Sequence, residues 1–398
     1  MSQHTAIIDI GSSKVICLIC SVDASGATLV HGAGICEYSG YKRGVFEDEN
    51  RLIEAVSDAL AMAESEAKHR VRDISVGVPA PFIKLILNDG AMRPKASAER
   101  VSSADVEAVL NASAEFTVPD GYELMHSTPV HFMVDGTLRQ DMPIGVRANN
   151  LSARVSHVLV DVRFKELVSG ALGRVGLDAD MYIGVPLSEA LFVIPQQERM
   201  NAAVLLDVGA THTDVSLVHN NALLATRTID VGGDHFTTDL AYGLQLQRSV
   251  CENIKRRYVY SLDYQDSIDT IRIPGGGAIN IEHSAIQYIL EARGRELAEL
   301  ILDAFEQMGI QGNAETPVYL SGGGISLMRG CCEFFERYMG VPIQVRMPWM
   351  PRLSSPNYAS AYSVMEFVTR AREQEDGGRL LGLSGRGSLL KKLRNFFI

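Results

Sequence analysis

One short design occurs twice, and it restricts the folds open to this chain more than any other feature. "AIIDIGSSKVICLIC", residues 6–20, is an apolar run that reaches Asp9, turns through Gly11, Ser12 and Ser13, and resumes after Lys14. "LLDVGATHTDVSL", residues 205–217, repeats the plan with Asp207, Gly209, Ala210 and Thr211. An apolar strand that stops at Asp-x-Gly and resumes its pattern reads as a hairpin. Two hairpins of one design in the two halves of a chain indicate duplicated lobes. Ligands favour the crevice between such lobes.

The length agrees, since 398 residues exceed one ordinary core. Hydrophobic residues at 46% against 21% charged give a soluble globular profile. A formal charge of −11 argues against a nucleic-acid binder, which needs a basic face. There is no apolar stretch of about 18 residues and no signal-peptide pattern, which predicts a cytosolic chain. Cys17 and Cys20 are spaced C-x-x-C but lie in one strand, where they face opposite ways. They and the adjacent Cys331 and Cys332 read as structural thiols rather than a redox or metal pair.

The pattern predicts an α/β chain of several segments. Residues 1–78 form a first lobe with strands at 6–20, 28–37 and 73–78 and a helix at 51–68. Residues 79–160 differ in character and read as a small inserted α+β domain. It has a helix started by Ser102 or Ser103 with Glu107 in its first turns, then two strands. Residues 161–198 return to the first lobe. Residues 199–344 form the second lobe, mainly helical over about 244–312, with "VYLSGGGISLMRG" read as strand, glycine turn and helix start. Residues 345–372 rejoin the first lobe through a helix. Residues 373–387, polar and glycine-rich, read as a flexible linker, and residues 388–398 as a separate terminal segment.

The turns have a chemical logic. Successive backbone N–H groups in a tight Gly/Ser/Thr turn bind phosphate. An aspartate at the strand end would repel that phosphate unless a cation lay between them. Mg²⁺ accepts few carboxylates, several waters and phosphate oxygens, so Asp9 and Asp207 fit as holders of its waters. An ordinary turn is the alternative for either hairpin alone. Gly322, Gly323 and Gly324 would let a flat adenine or ribose lie on the backbone, or make a tight strand–helix turn. In "CENIKRRY", Glu252 and Lys255 share a helix face and either grip ribose hydroxyls or form a surface ion pair.

Phosphate hairpin, insert, second hairpin, E-x-x-K helix and glycine turn, in this order, resemble the actin/Hsp70/sugar-kinase superfamily. Within it the chain is similar to the FtsA family of bacterial cell-division actins, over nearly everything from residue 5 to 398. Its most specific parts are "MHSTPVHFMVDG", "GVRANNLSARVSHVLVD", "VGGDHFTTDLAYGL" and "SPNYASAYSVMEF". The resemblance implies a two-lobed actin-like (ribonuclease-H-like) fold with the inserted FtsA-type subdomain and a C-terminal amphipathic helix. It implies ATP and Mg²⁺ between the lobes and head-to-tail polymerisation. It also implies tethering of FtsZ to the cytoplasmic face of the membrane at the division site, beside other divisome proteins. By family position Asp9, Gly11, Ser12, Ser13 and Lys14 meet phosphate or Mg²⁺ from one lobe. Asp207, Gly209, Ala210, Thr211 and Thr213 do so from the other. Gly233 lies near the cleft, Glu252 and Lys255 touch ribose, and Gly323 and Gly324 back the adenosine. FtsZ docking falls to the helical subdomain, with Arg293 and Arg295 as candidates against a reading as solvated charge.

Two departures matter. The family's second hairpin usually carries three glycines, where this chain has Gly209, Ala210 and Thr211. The Thr211 Cβ restricts φ and the approach of a phosphate, which predicts weaker binding or a displaced terminal phosphate. Hydrolysing relatives often place a carboxylate or amide where this chain has Val185, before Pro186. That predicts slow or negligible ATPase activity.

At the terminus, Leu389, Leu390, Leu393, Phe396 and Phe397 form one helical stripe, with Lys391, Lys392 and Arg394 off it. The stripe either packs on the chain's own core or inserts into anionic lipid, and cations without nearby acids fit lipid. Each apolar side chain, fully buried, contributes about 1.5–3 kcal/mol, and each cation about 1 kcal/mol. Ordering the helix costs about 1–2 kcal/mol per residue. One tail therefore binds weakly, and a polymer carrying many binds well. A PilM-like cytoplasmic scaffold of a pilus or secretion machine is the alternative, and it lacks this stripe. A small-molecule kinase would need a carboxylate base, for which no candidate stands out.

Overall fold

The computed structural model describes residues 4–23, 25–94, 100–260, 262, 267–272, 276–311 and 316–380, with 373–380 described by their backbone path alone. The first lobe opens with β1 (Thr5–Ile10), β2 (Lys14–Val22), β3 (Thr28–Glu37), β4 (Tyr41–Lys42), β5 (Val45–Phe46), α1 (Glu49–Ala67) and β6 (Asp73–Val78). The insert holds β7 (Ile83–Met92), α2 (Ser103–Ser113), β8 (Tyr122–Val134), β9 (Thr137–Arg139) and β10 (Leu151–Asp161). The first lobe resumes with α3 (Val162–Arg174), β11 (Asp178–Gly184), α4 (Val185–Val193) and α5 (Gln196–Arg199). The second lobe begins with β12 (Ala203–Val208), β13 (Thr213–His219), β14 (Ala222–Ile229), α6 (Gly233–Leu244) and α7 (Arg248–Arg257). It continues with β15 (Ile268–Arg272), β16 (Ala278–Glu282), α8 (His283–Gln307), β17 (Val318–Ser321), α9 (Cys331–Met339) and β18 (Ile343–Val345). Finally α10 (Ala359–Leu380) crosses back to the first lobe.

The duplication is a property of the sheets. The first has strand order β11-β6-β1-β2-β3 and the second β14-β13-β12-β17-β18. In each, a central strand with an aspartate next to its end pairs antiparallel with its hairpin partner and parallel with a later strand. All six residues of β1 are buried, because both faces of the sheet are covered. One core joins the lobes: Ile7, Ile16 and Leu18 of the first sheet and Leu205, Val218 and Tyr319 of the second pack with Leu187 and Leu191 of α4 and Val364 and Val368 of α10. Separate cores lie behind each sheet and inside the insert. The insert is a four-stranded sheet, β7-β10-β8-β9, carrying α2. Cys17 and Cys20 fall in the cores on opposite sides of β2, and all six cysteines are free. Burial pushes the Cys17 and Cys20 thiols up to about 12, so they stay neutral.

Ser102 caps α2 in a capping box with Asp105, the third helical residue, and Glu107 follows in the first turns as expected. Several expectations need correction. The stretch expected to be mainly helical contains the hairpin β15–β16 with alternating exposure, a pattern hidden by its brevity. The glycines after β17 do not open a helix at once. Helix α9 starts at Cys331, after a bonded turn with Met328 accepting from Cys331. The helix expected to end at 372 runs on to Leu380, so the start of the assigned linker is helical. Residues 381–387 of the linker and the terminal stripe of 388–398 lie outside the described residues. No helix among the described residues is long and apolar enough to cross a membrane.

Helix α1 lies close on β3 because Gly32 and Gly34 face Ala59, Ala63 and Ala67. A Cβ at Gly34 would overlap the Ala59 carbonyl. Gly34→Ala should therefore cost about 1–3 kcal/mol by overpacking, read as a lower thermal midpoint. Gly170→Ala, on an open face of α3, should instead gain about 0.5–1 kcal/mol. Equal midpoints for the two variants would contradict this packing.

Candidate functional site

The two hairpins close by the same bond. Gly11 N–H donates to Lys14 O at 2.9 Å, and Gly209 N–H to His212 O at 3.0 Å. The turns therefore share one bonding pattern, in which Lys14 corresponds to His212. Each turn leaves amides unused: the N–H groups of Ser12, Ser13 and Ala210 donate to no described residue. Both turns open onto one cleft of about 860 Å³.

Carboxylates crowd the cleft floor. Asp9, next to last in β1, accepts from Ser360 Oγ of α10 at 2.6 Å. Asp207 is next to last in β12, with Asp214 opposite it on β13. Glu189 of α4 is 1% exposed, and its Oε1 accepts no hydrogen bond from a described residue. Burial first, then Asp214, pushes the Asp207 carboxyl up to about 7, against the pull of His212. Burial also raises Asp9, against Ser360 and Lys14, and raises Glu189 well above the usual range, helped by Asp207. Lys14 is lowered by burial although Asp9 favours its charge. Its Nζ donates to Asn357 O at 3.0 Å and lies 4.8 Å from the Tyr358 ring centre.

This donor set fits a hard cation. The carboxylates carry more potential charge than Lys14 and His212 balance, all are oxygen donors, and Glu189 has an unsatisfied oxygen. Among the described residues no group of three or more His, Cys, Asp or Glu is placed to ligate a metal directly. That arrangement suits Mg²⁺ held largely through waters and phosphate.

At the other end, Glu252 and Lys255 form an ion pair at 2.8 Å, but not a surface one. Lys255 is 4% exposed and also donates to Gly233 O at 2.9 Å. Burial opposes ionisation of Glu252, yet Lys255, Thr237 and Arg256 together hold its carboxyl down at about 2. The glycines here are required by backbone packing as well as by the cleft. A Cβ at Gly233 would lie 2.5 Å from Gly324 Cα, one at Gly323 would lie 2.8 Å from Asn357 Cβ, and one at Gly322 would overlap Asp207 Oδ1.

Of the residues singled out in the first hairpin, Asp9, Gly11, Ser12, Ser13 and Lys14 all line the cleft. So do Asp207, Gly209 and Ala210, and so do Gly233, Glu252, Lys255, Gly323 and Gly324. Two do not. Thr213 is fully buried and its hydroxyl donates to Val231 O at 2.7 Å. Thr211 turns toward the first lobe, where Oγ1 donates to Tyr41 O at 3.1 Å. Neither Ala210 nor Thr211 has a positive φ, so the turn takes no backbone conformation that their Cβ atoms disfavour, and the Thr211 hydroxyl adds a bond to the first lobe. His212, Asp214 and Ser360 line the cleft as well, beyond the residues expected from the sequence. Aligning the two hairpins from their aspartates would have marked His212 as the partner of Lys14. Arg293 is half-buried and clamped by Asp239 and Glu296, at 2.5 and 2.6 Å, whereas Arg295 makes no ion pair among the described residues.

The family model described as Cell division protein FtsA matches residues 204–363, and that of the SHS2 domain inserted in FTSA matches residues 83–159. A Cell division protein FtsA of Neisseria meningitidis is 23% identical, covering 99% of this chain and 98% of its own length. Among solved structures, one titled PilM-PilN type IV pilus biogenesis complex has a TM-score of 0.62 at 18% identity, covering 92% of this chain and 98% of that one. MreB 5 of Spiroplasma citri bound to AMPPNP has a TM-score of 0.53 at 14% identity, covering 95% and 99%. These two structures establish the actin-like fold and nothing finer. Two models specific to one family cover more than half of the sequence, one on the second lobe and one on the insert, and relatives align along the whole length: this chain belongs to the FtsA family of cell-division proteins.

Proposed function

We propose that this cell-division protein binds ATP with Mg²⁺ in the cleft and polymerises head to tail. We further propose that it tethers the FtsZ C-terminal tail to the cytoplasmic face of the membrane at the division site, beside other divisome proteins. One observation carries the nucleotide reading: two matched turns with unused amides, Ser12, Ser13 and Ala210, face desolvated Asp9 and Asp207 across one cleft. Mg²⁺ supplies the charge that lets the aspartates ionise beside phosphate. In this reading Asp9 and Asp207 orient its waters, the turn amides and Lys14 hold phosphate, Glu252 and Lys255 meet ribose, and Gly323 and Gly324 back the adenosine. A neighbour of the same fold, MreB 5, is titled as bound to AMPPNP, which supports this ligand class.

Turnover should be slow. Val185 is apolar, and burial, helped by Asp207, raises the Glu189 carboxyl one helical turn on and so disfavours the ionised form that would accept a proton from water. For FtsZ, Arg293 is committed to Asp239, which leaves Arg295 as the cation of the pair. Tyr242 of α6 and Tyr288 of α8, 81% and 72% exposed on two packed helices, add apolar anchors for a peptide. The membrane role rests on the sequence of 388–398 alone. The fold likeness to PilM supports a pilus-type scaffold as the second reading.

Calorimetry with Mg²⁺-ATP should detect binding by the full chain and at least tenfold weaker binding by Asp207→Asn. Equal affinities would overturn the cleft assignment. Because Asp207 moves from 3.8 to about 7 on folding, the folded chain binds more protons than the unfolded one between these values. The stability of the nucleotide-free protein should thus fall as pH rises from about 4 to about 7, and Asp207→Asn should flatten the profile of thermal midpoint against pH. Phosphate release should be slow, and a turnover of many per second would contradict the roles given to Val185 and Glu189. Removing residues 388–398 should abolish flotation with anionic vesicles while leaving nucleotide binding intact. Flotation of the truncated chain would overturn the role given to this segment, and failure of the full chain to float would favour the scaffold reading.

A further inference from the structure

The second hairpin is bonded to the first lobe through one residue. Thr211 N–H donates to Ser12 Oγ at 3.4 Å, and Thr211 Oγ1 donates to Tyr41 O at 3.1 Å. The hydroxyl has a single proton, spent on Tyr41 O, so its contact with His212 Nδ1 at 3.1 Å makes that nitrogen the donor. His212 Nε2 faces Asp214 Oδ2 at 3.3 Å; burial lowers the imidazole, but Asp214 outweighs it and holds the ring above its usual range. The Tyr41 ring lies 5.3 Å from the imidazole, which is buried with Asp214. The result is a chain across the lobes: Asp214, His212, Thr211, Tyr41 O.

The amides left unused, those of Ser12, Ser13 and Ala210, are sequence neighbours of the Ser12–Thr211 bond, so a phosphate gripped by both turns comes up against it. A ligand that stops short leaves the bond intact. A ligand that reaches it has to part the hairpins and loosen Thr211 from Tyr41. We propose that Thr211, braced by His212, sets the cleft's discrimination by phosphate-chain length: the clasp penalises a nucleoside triphosphate relative to a diphosphate. The inference rests on the nucleotide reading above and adds a specificity-determining residue to it. It also replaces the expected effect of Thr211 on φ with a bond between lobes.

The test is the ratio of Mg²⁺-ADP to Mg²⁺-ATP affinity, measured by calorimetry on the full chain. Thr211→Val keeps the branched shape and loses the hydroxyl. It should improve ATP binding relative to ADP about three- to tenfold, the worth of one hydrogen bond. Thr211→Ser keeps hydroxyl and amide and should retain the wild-type ratio. Retained ADP binding and cooperative thermal unfolding in both variants would exclude general misfolding. If Thr211→Val leaves the ratio unchanged while both nucleotides bind, the clasp has no role in selection and the nucleotide reading stands. If neither nucleotide binds wild type, the nucleotide reading fails and this inference with it.

Discussion

The structure depends on a charge conflict. Two central strands, β1 and β12, each carry an aspartate next to the end, at the same point of the same topology, and the lobes bring both to one water-poor floor. Asp214 and Glu189 add to it. Desolvated carboxylates resist ionisation, so the floor favours either protons or a cation. The rest of the molecule holds these strand ends in register: β6 and β17 pair beside them in parallel, α4 and α10 fill the space between sheets, and Ser360 of α10 bonds Asp9.

The lobes are coupled in two places with different chemistry. Behind the cleft they share an apolar core through α4 and α10, which is non-directional and tolerant of small rotations. In front they meet through Thr211, Ser12 and Tyr41, by hydrogen bonds that are made or broken. The exposed ion pair Arg43–Asp230 adds a contact of little energetic worth at the rim. A compliant hinge with a discrete clasp is the arrangement expected of a cleft that opens and closes around a ligand. The insert extends this frame, because the β13–β14 turn places Asn220 against Val130 O at 2.6 Å.

Much of this was legible in the chain. The strands around Asp9 and Asp207, the capped helix at Ser102, and the change of character near residue 79 follow from alternation, turn residues and capping, which are local signals. The glycines near 322–324 were visible as special, but their reason was not. They let backbone from β17 and α6 approach the second hairpin, and no local pattern encodes which backbone approaches. The hairpin β15–β16 and the extension of α10 to Leu380 were missed, since short alternation and polar helix ends resemble loops.

By itself the sequence determined the repeated hairpin, the residue types that phosphate and Mg²⁺ chemistry need, and the family resemblance, because each depends on neighbours along the chain. The tertiary structure alone decided that Thr213 is spent in the core, that Arg293 is neutralised by Asp239, and that Thr211 bridges to Tyr41. Those outcomes depend on which groups from distant segments reach hydrogen-bonding distance. A side chain's chemistry is written in the sequence, but its partner is set by packing.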